Sequence, residues 1–285
     1  MVPAAFDIGG LLLGLALAYF LFFMLAYLRK VLARPGVLFE DMILPPARAG
    51  IAAAAMSMML LAAALLPFGL YASQVWWTGV ILQIGASAVV CYAIWKEPPE
   101  HRKFSPYQYL TFVGPVVGPV AGIQLGYVWE SIWLTLAALV AYLIITVGYG
   151  LQLRHKQLPV GLRPSLVIFL APNCLFALSF GLLEFNWLFY VFYWIANLVA
   201  LFFVVLVPWL CKGGWTPVWS SFTFPACAFL NVQVLAVSKG AGMFALLGVY
   251  AGIAVATPIT LFTAYRFTML WVTGELSQVT GAARA

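Results

Sequence analysis

The sequence predicts an all-α, polytopic membrane protein, and three observations support this prediction. Hydrophobic residues make up 65% of the 285 and charged residues only 8%, whereas about a quarter of the residues in soluble domains are charged. Apolar stretches long enough to cross a bilayer, about 20 residues each, recur along the chain. Prolines and glycines interrupt several of them. We therefore expect a single transmembrane domain, residues 1–285, with nine visible transmembrane helices, the inner ones kinked at Pro or Gly.

The nine expected spans follow one another through short connections. The first is not a cleaved signal peptide, because its positive charges, Arg29 and Lys30, follow the apolar core instead of preceding it. The charged segments 96–103 and 154–156 mark two further loops. The spans are expected at about residues 6–28, 51–67, 75–95, 107–125, 129–148, 162–183, 186–210, 217–237 and 241–274.

The chemistry-bearing residues give no reason to expect a cofactor or a metal. The four cysteines are scattered and form no CxxC pair, so they indicate neither a disulfide framework nor a zinc site. The two histidines, His101 and His155, fall in charged loops. A haem or metal within the membrane would need ligands inside the spans.

The basic residues of the loops predict the orientation of the chain. They are concentrated in the odd-numbered loops, whereas the even-numbered loops carry only Lys239. Because cytoplasmic loops carry the excess of Lys and Arg, we expect the odd loops and the C-terminal tail inside and the N-terminus outside. This bias and attraction to anionic headgroups account for the net charge of +6, so nucleic-acid binding is not expected. The odd-loop residues are Arg29, Lys30, Arg34, Arg48, Lys96, Arg102, Lys103, Arg154, Lys156, Arg163 and Lys212.

The segment 215–233, WTPVWSSFTFPACAFLNVQ, is the element around which we expect the other helices to be arranged. Thr216 followed by Pro217 predicts a helix start, and Pro225 predicts a bend that frees one carbonyl. At helical spacing, Phe224 shares its face with small and polar residues. That pattern is typical of a weakly polar pore with an aromatic gate, although ordinary close helix packing is the alternative. The lining residues predicted here are Ser220, Ser221, Pro225, Ala228 and Asn231.

Two other spans are also rich in residues that kink or thin a helix. In 107–125, glycine recurs every four residues along one face, which permits either close helix packing or a bare backbone beside a lumen. Its two prolines favour the lumen, because carbonyls that lose their helical donors need water or other polar groups as hydrogen-bond partners. In 162–183, the amide of Asn173 could satisfy a carbonyl or touch a permeant solute. The lining residues predicted in these spans are Gly114, Pro115, Gly118, Pro119, Gly122, Pro172 and Asn173.

These small-residue spans form a repeat. Their centres lie near Met58, Val117, Pro172 and Pro225, about 55 residues apart. The spans that follow them are mostly bulkier and more aromatic. Inner and outer helices that alternate at a fixed period predict helical hairpins around a central pore.

Two motifs resemble one family of membrane proteins. The first is SFTFP from Ser221, preceded by LVPWL at 206–210 and by a short glycine link, and the second is LVIFLAPNC at 166–174. Together they resemble the tellurite-resistance/dicarboxylate transporter family, which includes the bacterial TehA-like proteins and the plant slow anion channels. The resemblance implies five helical hairpins around a pore, usually in a homotrimer, and it makes Phe224 the match for the phenylalanine that plugs that pore.

The resemblance also implies a function. Family members pass small anions such as oxyanions or C4-dicarboxylates, and tellurite resistance is among their associated activities. We therefore expect an anion channel or exporter, not an enzyme, in the plasma or inner membrane of a bacterium. A membrane-embedded lipid-modifying enzyme is the alternative, but it needs a cluster of acid–base or nucleophilic groups, and Glu130 and Glu184 are far apart in sequence. A structural membrane subunit is a third possibility.

The start of the chain departs from the family pattern of ten helices. In order, the first span corresponds to the family's second helix, an outer one. Either Met1 lies downstream of the true start, or another subunit or lipid fills the place of an inner helix. The nine-span topology predicts that a cysteine introduced at Val2 is labelled by an impermeant maleimide in intact cells.

Overall fold

The computed structural model describes residues 3–43, 45–69, 71–96, 104–153 and 158–280, and these residues form helices and turns without any strand. The α-helices are α1 (Pro3–Ala33), α2 (Gly36–Ile43), α3 (Pro45–Leu65), α4 (Ala72–Lys96), α5 (Pro119–Gly122), α6 (Val128–Leu153), α7 (Leu170–Leu182), α8 (Asn186–Leu210), α9 (Thr223–Ser238), α10 (Gly242–Val272) and α11 (Leu276–Thr280). The 3₁₀ segments are Leu66–Phe68, Gly114–Val117, Val160–Phe169 and Pro217–Phe222, and Tyr109–Val113 is a π-helical segment.

The described helices confirm the predicted fold class, an all-α polytopic membrane protein. Among the described residues, eight helices are long and apolar enough to cross a membrane. A shorter apolar segment, Tyr109–Gly122, occupies the remaining expected position. We call it the broken span, because it passes from a π-helical segment through a 3₁₀ segment into the four-residue α5.

The small-residue spans are more buried than the bulky spans that follow them. Val160–Leu182 is 83% buried over its most apolar window, against 17% for the following α8. The same order holds for Ala47–Phe68 against α4, at 33% and 28%, and for Pro217–Ser238 against α10, at 33% and 17%. Inner and outer helices thus alternate along the chain, as the repeat predicted.

The most central span is Val160–Leu182, and the expectation that segment 215–233 holds this place is wrong. α7 packs against α8 and α9 and also contacts α6 and the broken span. α9 packs mainly on α7 and α10, and its residues Asn231 and Val234 remain exposed. The sequence could not rank these spans, because a similar content of small residues and prolines does not reveal how many neighbours surround a helix.

The broken span keeps its irregular backbone because side chains of two neighbouring helices satisfy its carbonyls. Prolines at Pro115 and Pro119 remove two N–H donors from this span. Within the membrane, the carbonyls left without helical partners need other donors. Gln83 Nε2 donates to Leu110 O (2.9 Å) and Thr111 O (2.8 Å), Ser87 Oγ to Thr111 O (2.9 Å), and Ser179 Oγ to Val116 O (3.0 Å). Trp76 Nε1 adds a bond of 2.9 Å to Gly118 O, which also accepts from the Gly122 N–H within the span. Side chains of α4 and α7 therefore supply the hydrogen bonds that the sequence analysis expected from a lumen.

Ser179→Ala should lower the free energy of unfolding by about 1–3 kcal/mol, because Val116 and Ser179 are both fully buried and the carbonyl of Val116 would lose its donor. Thermal unfolding in detergent measures the loss. Ser57→Ala is the matched control, since the Ser57 hydroxyl donates to the Ala53 carbonyl within its own helix. Equal stability of the two variants would show that Val116 does not depend on Ser179.

The first helix lies on the outside of the bundle. None of its most apolar window is buried, and it touches α10 through the Tyr19 hydroxyl, which donates to Ala264 O at 3.3 Å, and through Phe22, whose ring lies 5.0 Å from that of Trp271. This position agrees with the expectation that the first span is an outer helix. Val2, on which the topology prediction depends, lies outside the described residues.

Candidate functional site

A small cavity lies where four inner segments meet: α3, the broken span, Val160–Leu182 and α9. Its volume is about 20 Å³, which is room for roughly one water molecule. No charged side chain is among its lining residues. They are Met56, Tyr109, Leu110, Val113, Gly114, Ile168, Ala171, Pro172, Leu175 and Phe224.

Three of the inner segments change their helical winding close to this cavity. The broken span changes between Val113 and Gly114, the central span between Phe169 and Leu170, and the last inner span between Phe222 and Thr223. In each, a proline follows the change within three residues, at positions 115, 172 and 225. A proline ring blocks the regular α-helical bond toward the preceding turn, and tighter or wider turns take its place. The change of winding before Pro225 lies close to the position at which the sequence predicts a bend or break.

The structure brings together three of the residues that the sequence predicts to line a pore. Phe224, the second residue of α9, shares the cavity wall with Gly114 and Pro172. Its side chain is half-buried against the main hydrophobic core. A ring from one inner helix thus stands opposite a glycine and a proline of two others.

The other members of the glycine repeat are packed against helices. A Cβ built on Gly118 would lie 2.7 Å from Leu134 Cδ1, and one built on Gly122 would lie 2.5 Å from Ser131 Oγ. Pro115 lines a different cavity, on the membrane-facing side between α4 and α6, and Pro119 is buried. At these positions the structure favours the close-packing alternative over the lumen.

The nitrogen and the oxygen of the Asn173 amide each make a hydrogen bond within the protein. Asn173 is 3% exposed, its Nδ2 donates to the carbonyl of Phe169 at 2.9 Å, and its Oδ1 accepts from the Tyr142 hydroxyl at 3.0 Å. Of the two roles that the sequence left open, satisfying a carbonyl is the one observed.

The polar residues predicted to line a pore in the segment around Phe224 do not line the small cavity. Ser220 and Asn231 are exposed, and the Asn231 amide donates to the Cys227 carbonyl at 2.9 Å. Thr216 stands at the expected helix start, but its hydroxyl makes no capping bond. Ser221, Pro225 and Ala228 are buried without lining the cavity.

Sequence reasoning missed the apolar part of the wall. Met56, Ile168, Ala171 and Leu175 line the cavity, yet they belong to apolar runs in which nothing distinguishes an inward-facing residue from a packed one. Polar residues stand out within an apolar membrane span, whereas aliphatic residues that line a cavity look like their packed neighbours. Only the contacts between helices identify them.

Comparison with protein families decides the identity of the fold. The profile of one family, described as voltage-dependent anion channel (SLAC1), matches residues 3–272, nearly the whole chain. The chain belongs to this family. The resemblance drawn from the two motifs is thereby confirmed, and anion passage across the membrane is the activity that this family implies. A comparison with curated proteins gives no match.

Membership of the anion channel family also bears on whether the protein is an enzyme, because the members of this family are channels and transporters, not enzymes. Within the described residues, no group of three or more His, Cys, Asp and Glu side chains could hold a metal ion. The cavity wall itself contains one hydroxyl, that of Tyr109, and otherwise carbon, sulfur and backbone.

Thiol labelling should separate the cavity wall from the packed interior of this anion channel family member. In a Phe224→Ala background, Ala171→Cys should react with a small water-soluble thiol reagent because Ala171 lines the cavity, whereas Ala177→Cys, equally buried on the same helix, should not. Cys91, Cys211 and Cys227 are first replaced by alanine, because each is at least partly exposed.

Gly118→Cys extends the labelling test to the glycine repeat. Its reaction would support the lumen alternative for that face, and its protection would agree with the contact to Leu134. Protection of Ala171→Cys in correctly folded protein would contradict a path through the cavity.

Proposed function

We propose that this member of the anion channel family passes small anions through a path closed by Phe224. The observation that supports the proposal most is the position of the Phe224 ring at the meeting point of four inner segments, beside Met56, Gly114 and Pro172. The remaining space of about 20 Å³ holds one water at most, so an anion needs the ring to move.

In this proposal, anions are favoured by weak attraction to dipoles along the path, because no charged side chain is among the described residues that line the cavity. Transport requires binding that is favourable enough for entry and weak enough for release. At one end of the bundle, the Arg163 guanidinium lies 4.2 Å from the centre of the Trp209 ring, and that of Arg266 lies 4.1 Å from the centre of the Trp215 ring. These stacked cations give that mouth of the path a positive potential that attracts anions.

The 3₁₀ segments Val160–Phe169 and Pro217–Phe222 begin near these two arginines. The backbone N–H groups of a first helical turn have no intrahelical acceptors, and they carry the positive end of the helix dipole. By the distribution of loop charges this end is cytoplasmic. The proposal therefore places the loading of anions at the cytoplasmic mouth.

Oxyanions and C4-dicarboxylates are the proposed substrates, with tellurite resistance as one consequence of oxyanion export. The proposal also places the protein in a bacterial inner membrane, as a homotrimer with one path in each subunit. Purified protein in proteoliposomes tests it through flux of a panel: chloride, nitrate, sulfite, tellurite and succinate. No flux of any anion above that of empty liposomes would favour the structural-subunit alternative, and mass measurement in detergent tests the trimer.

A further inference from the structure

A groove on the membrane-facing side of the bundle lies apart from the proposed anion path. It has a volume of about 560 Å³, within the range of roughly 300–1,000 Å³ typical of pockets that hold small molecules. α4 and α6 form its two walls, and the broken span forms its floor. The lining residues are Trp76, Trp77, Val80, Ile84, Ser87, Phe112, Pro115, Glu130, Trp133, Leu134, Ala137 and Ala141.

The groove is open toward the lipid. Trp133 is 68% exposed and Ile84 is 57% exposed, so the walls do not close over the floor. The groove is deep because the broken span lies behind α4 and α6. Its residues Phe112 and Pro115 line the groove between these two helices. A concave apolar channel between two outer helices thus borders the hydrocarbon of the bilayer.

The length of the groove matches one leaflet. On α4 its lining runs from Trp76 to Ser87, and on α6 from Glu130 to Ala141, which at 1.5 Å per residue is about 16 Å on each helix. Half of a hydrocarbon core of about 30 Å is about 15 Å. Both helices begin at the same end, α4 at Ala72 and α6 at Val128, so the groove extends from one membrane interface to the middle of the bilayer.

The interfacial end of the groove carries one carboxylate, that of Glu130. In the part of the chain that the structure describes, Glu130 makes no ion pair, whereas the even-loop cation Lys239 is bound to Glu184 at 3.1 Å. The exposed Trp77 and Trp133 lie at the same end, as tryptophans do at membrane–water interfaces. The groove therefore presents an apolar wall for a chain and an unpaired anion at headgroup level.

We propose that the groove binds one acyl chain of a phospholipid whose headgroup carries a primary ammonium, as phosphatidylethanolamine does, with the ammonium on the Glu130 carboxylate. The apolar lining of the groove fits an acyl chain, and the length of the groove fits a lipid of a single leaflet. The Glu130 carboxylate favours a headgroup that carries an ammonium group. A lipid with an anionic headgroup, such as phosphatidylglycerol, would meet repulsion at Glu130. The loop charges assign this leaflet to the outer face.

Native mass spectrometry of protein extracted from vesicles of equal phosphatidylethanolamine and phosphatidylglycerol content tests the proposal. The wild type should retain phosphatidylethanolamine over phosphatidylglycerol by about fivefold, the ratio expected for one charge near the membrane surface. Glu130→Gln should bring the ratio to about one. The exposed Glu275→Gln removes the same charge elsewhere and should leave the preference unchanged.

A second pair of variants tests the channel itself. Ala137→Trp fills the groove from its exposed wall and should abolish lipid retention there, whereas Ala254→Trp, at an exposed position of α10, should retain lipid as the wild type does. Equal retention by these two variants, or an unchanged headgroup ratio in Glu130→Gln, would overturn the proposal. A disulfide between two copies of the chain that carry Ala137→Cys would also overturn it, because a second copy would then cover the groove.

Discussion

Phe224→Ala should raise the anion flux by at least about tenfold, since a tenfold change requires only about 1.4 kcal/mol from the barrier. The ring closes a space of about 20 Å³ between four inner segments, and its removal leaves a gap continuous with that space. Proteoliposome flux at matched protein density measures the effect. Because Phe224 is only half-buried, the variant should still fold, and size-exclusion chromatography checks this.

Phe222→Ala is the matched control for the gate. Phe222 ends the 3₁₀ segment before α9, and its ring lies 5.7 Å from that of Trp219 in an edge-to-face pair, away from the cavity. Its loss should leave the flux near that of the wild type. Should Phe222→Ala open the path while Phe224→Ala does not, the gate has been assigned to the wrong ring, since residues two apart on a helix point to nearly opposite sides.

Gly79→Val should destabilise the bundle by about 1–3 kcal/mol or more, the usual cost of overpacking. A Cβ at Gly79 would lie 2.8 Å from Met59 Cγ and 3.0 Å from the backbone oxygen of Ala55. The backbone of α3 cannot yield as a flexible side chain can, so α3 must move away from α4. Thermal unfolding in detergent measures the loss, and flux should change too, because α3 carries Met56 of the cavity wall.

Gly85→Val in the same helix is the control for Gly79→Val. Nothing lies within 4 Å of a Cβ built on Gly85, and the residue is exposed. The two variants introduce the same side chain into α4, so helix propensity affects both alike. Equal melting temperatures would show that α3 and α4 do not depend on close contact at Gly79.

The residues that the sequence identified at the site share one property: an unusual side chain or backbone within an apolar span. Phe224 stood out through the SFTFP motif, Gly114 through the glycine repeat, and Pro172 as a proline within an apolar span. All three line the same cavity. Gly118 and Gly122 have the same character, but they pack against Leu134, Ser131 and Trp76. A bare helix face looks identical in sequence whether its neighbour is a helix or a lumen.

The freed carbonyls of the broken span illustrate the same limit. Pro115 and Pro119 made unsatisfied carbonyls predictable, and the rule that these need partners in a membrane holds. The identity of the partners was not predictable, because Gln83 lies 27 residues from Leu110 and Ser179 lies 63 residues from Val116, whose carbonyls they bond. Of the two bonds of the Asn173 amide, the one to Phe169 is local, four residues back, whereas the one to Tyr142 spans 31 residues and was not predictable for the same reason.

The sequence by itself determined that the chain is an all-α membrane protein, approximately where its spans lie, and which of them contain helix-interrupting prolines. Those properties depend on hydrophobicity, length and proline, and these act locally along the chain. The tertiary structure alone decided that Val160–Leu182 is the central span, that aliphatic residues such as Met56 form the cavity wall, and that Gly118 faces a helix. These properties depend on which helices become neighbours, and that is set by contacts between residues far apart in the chain.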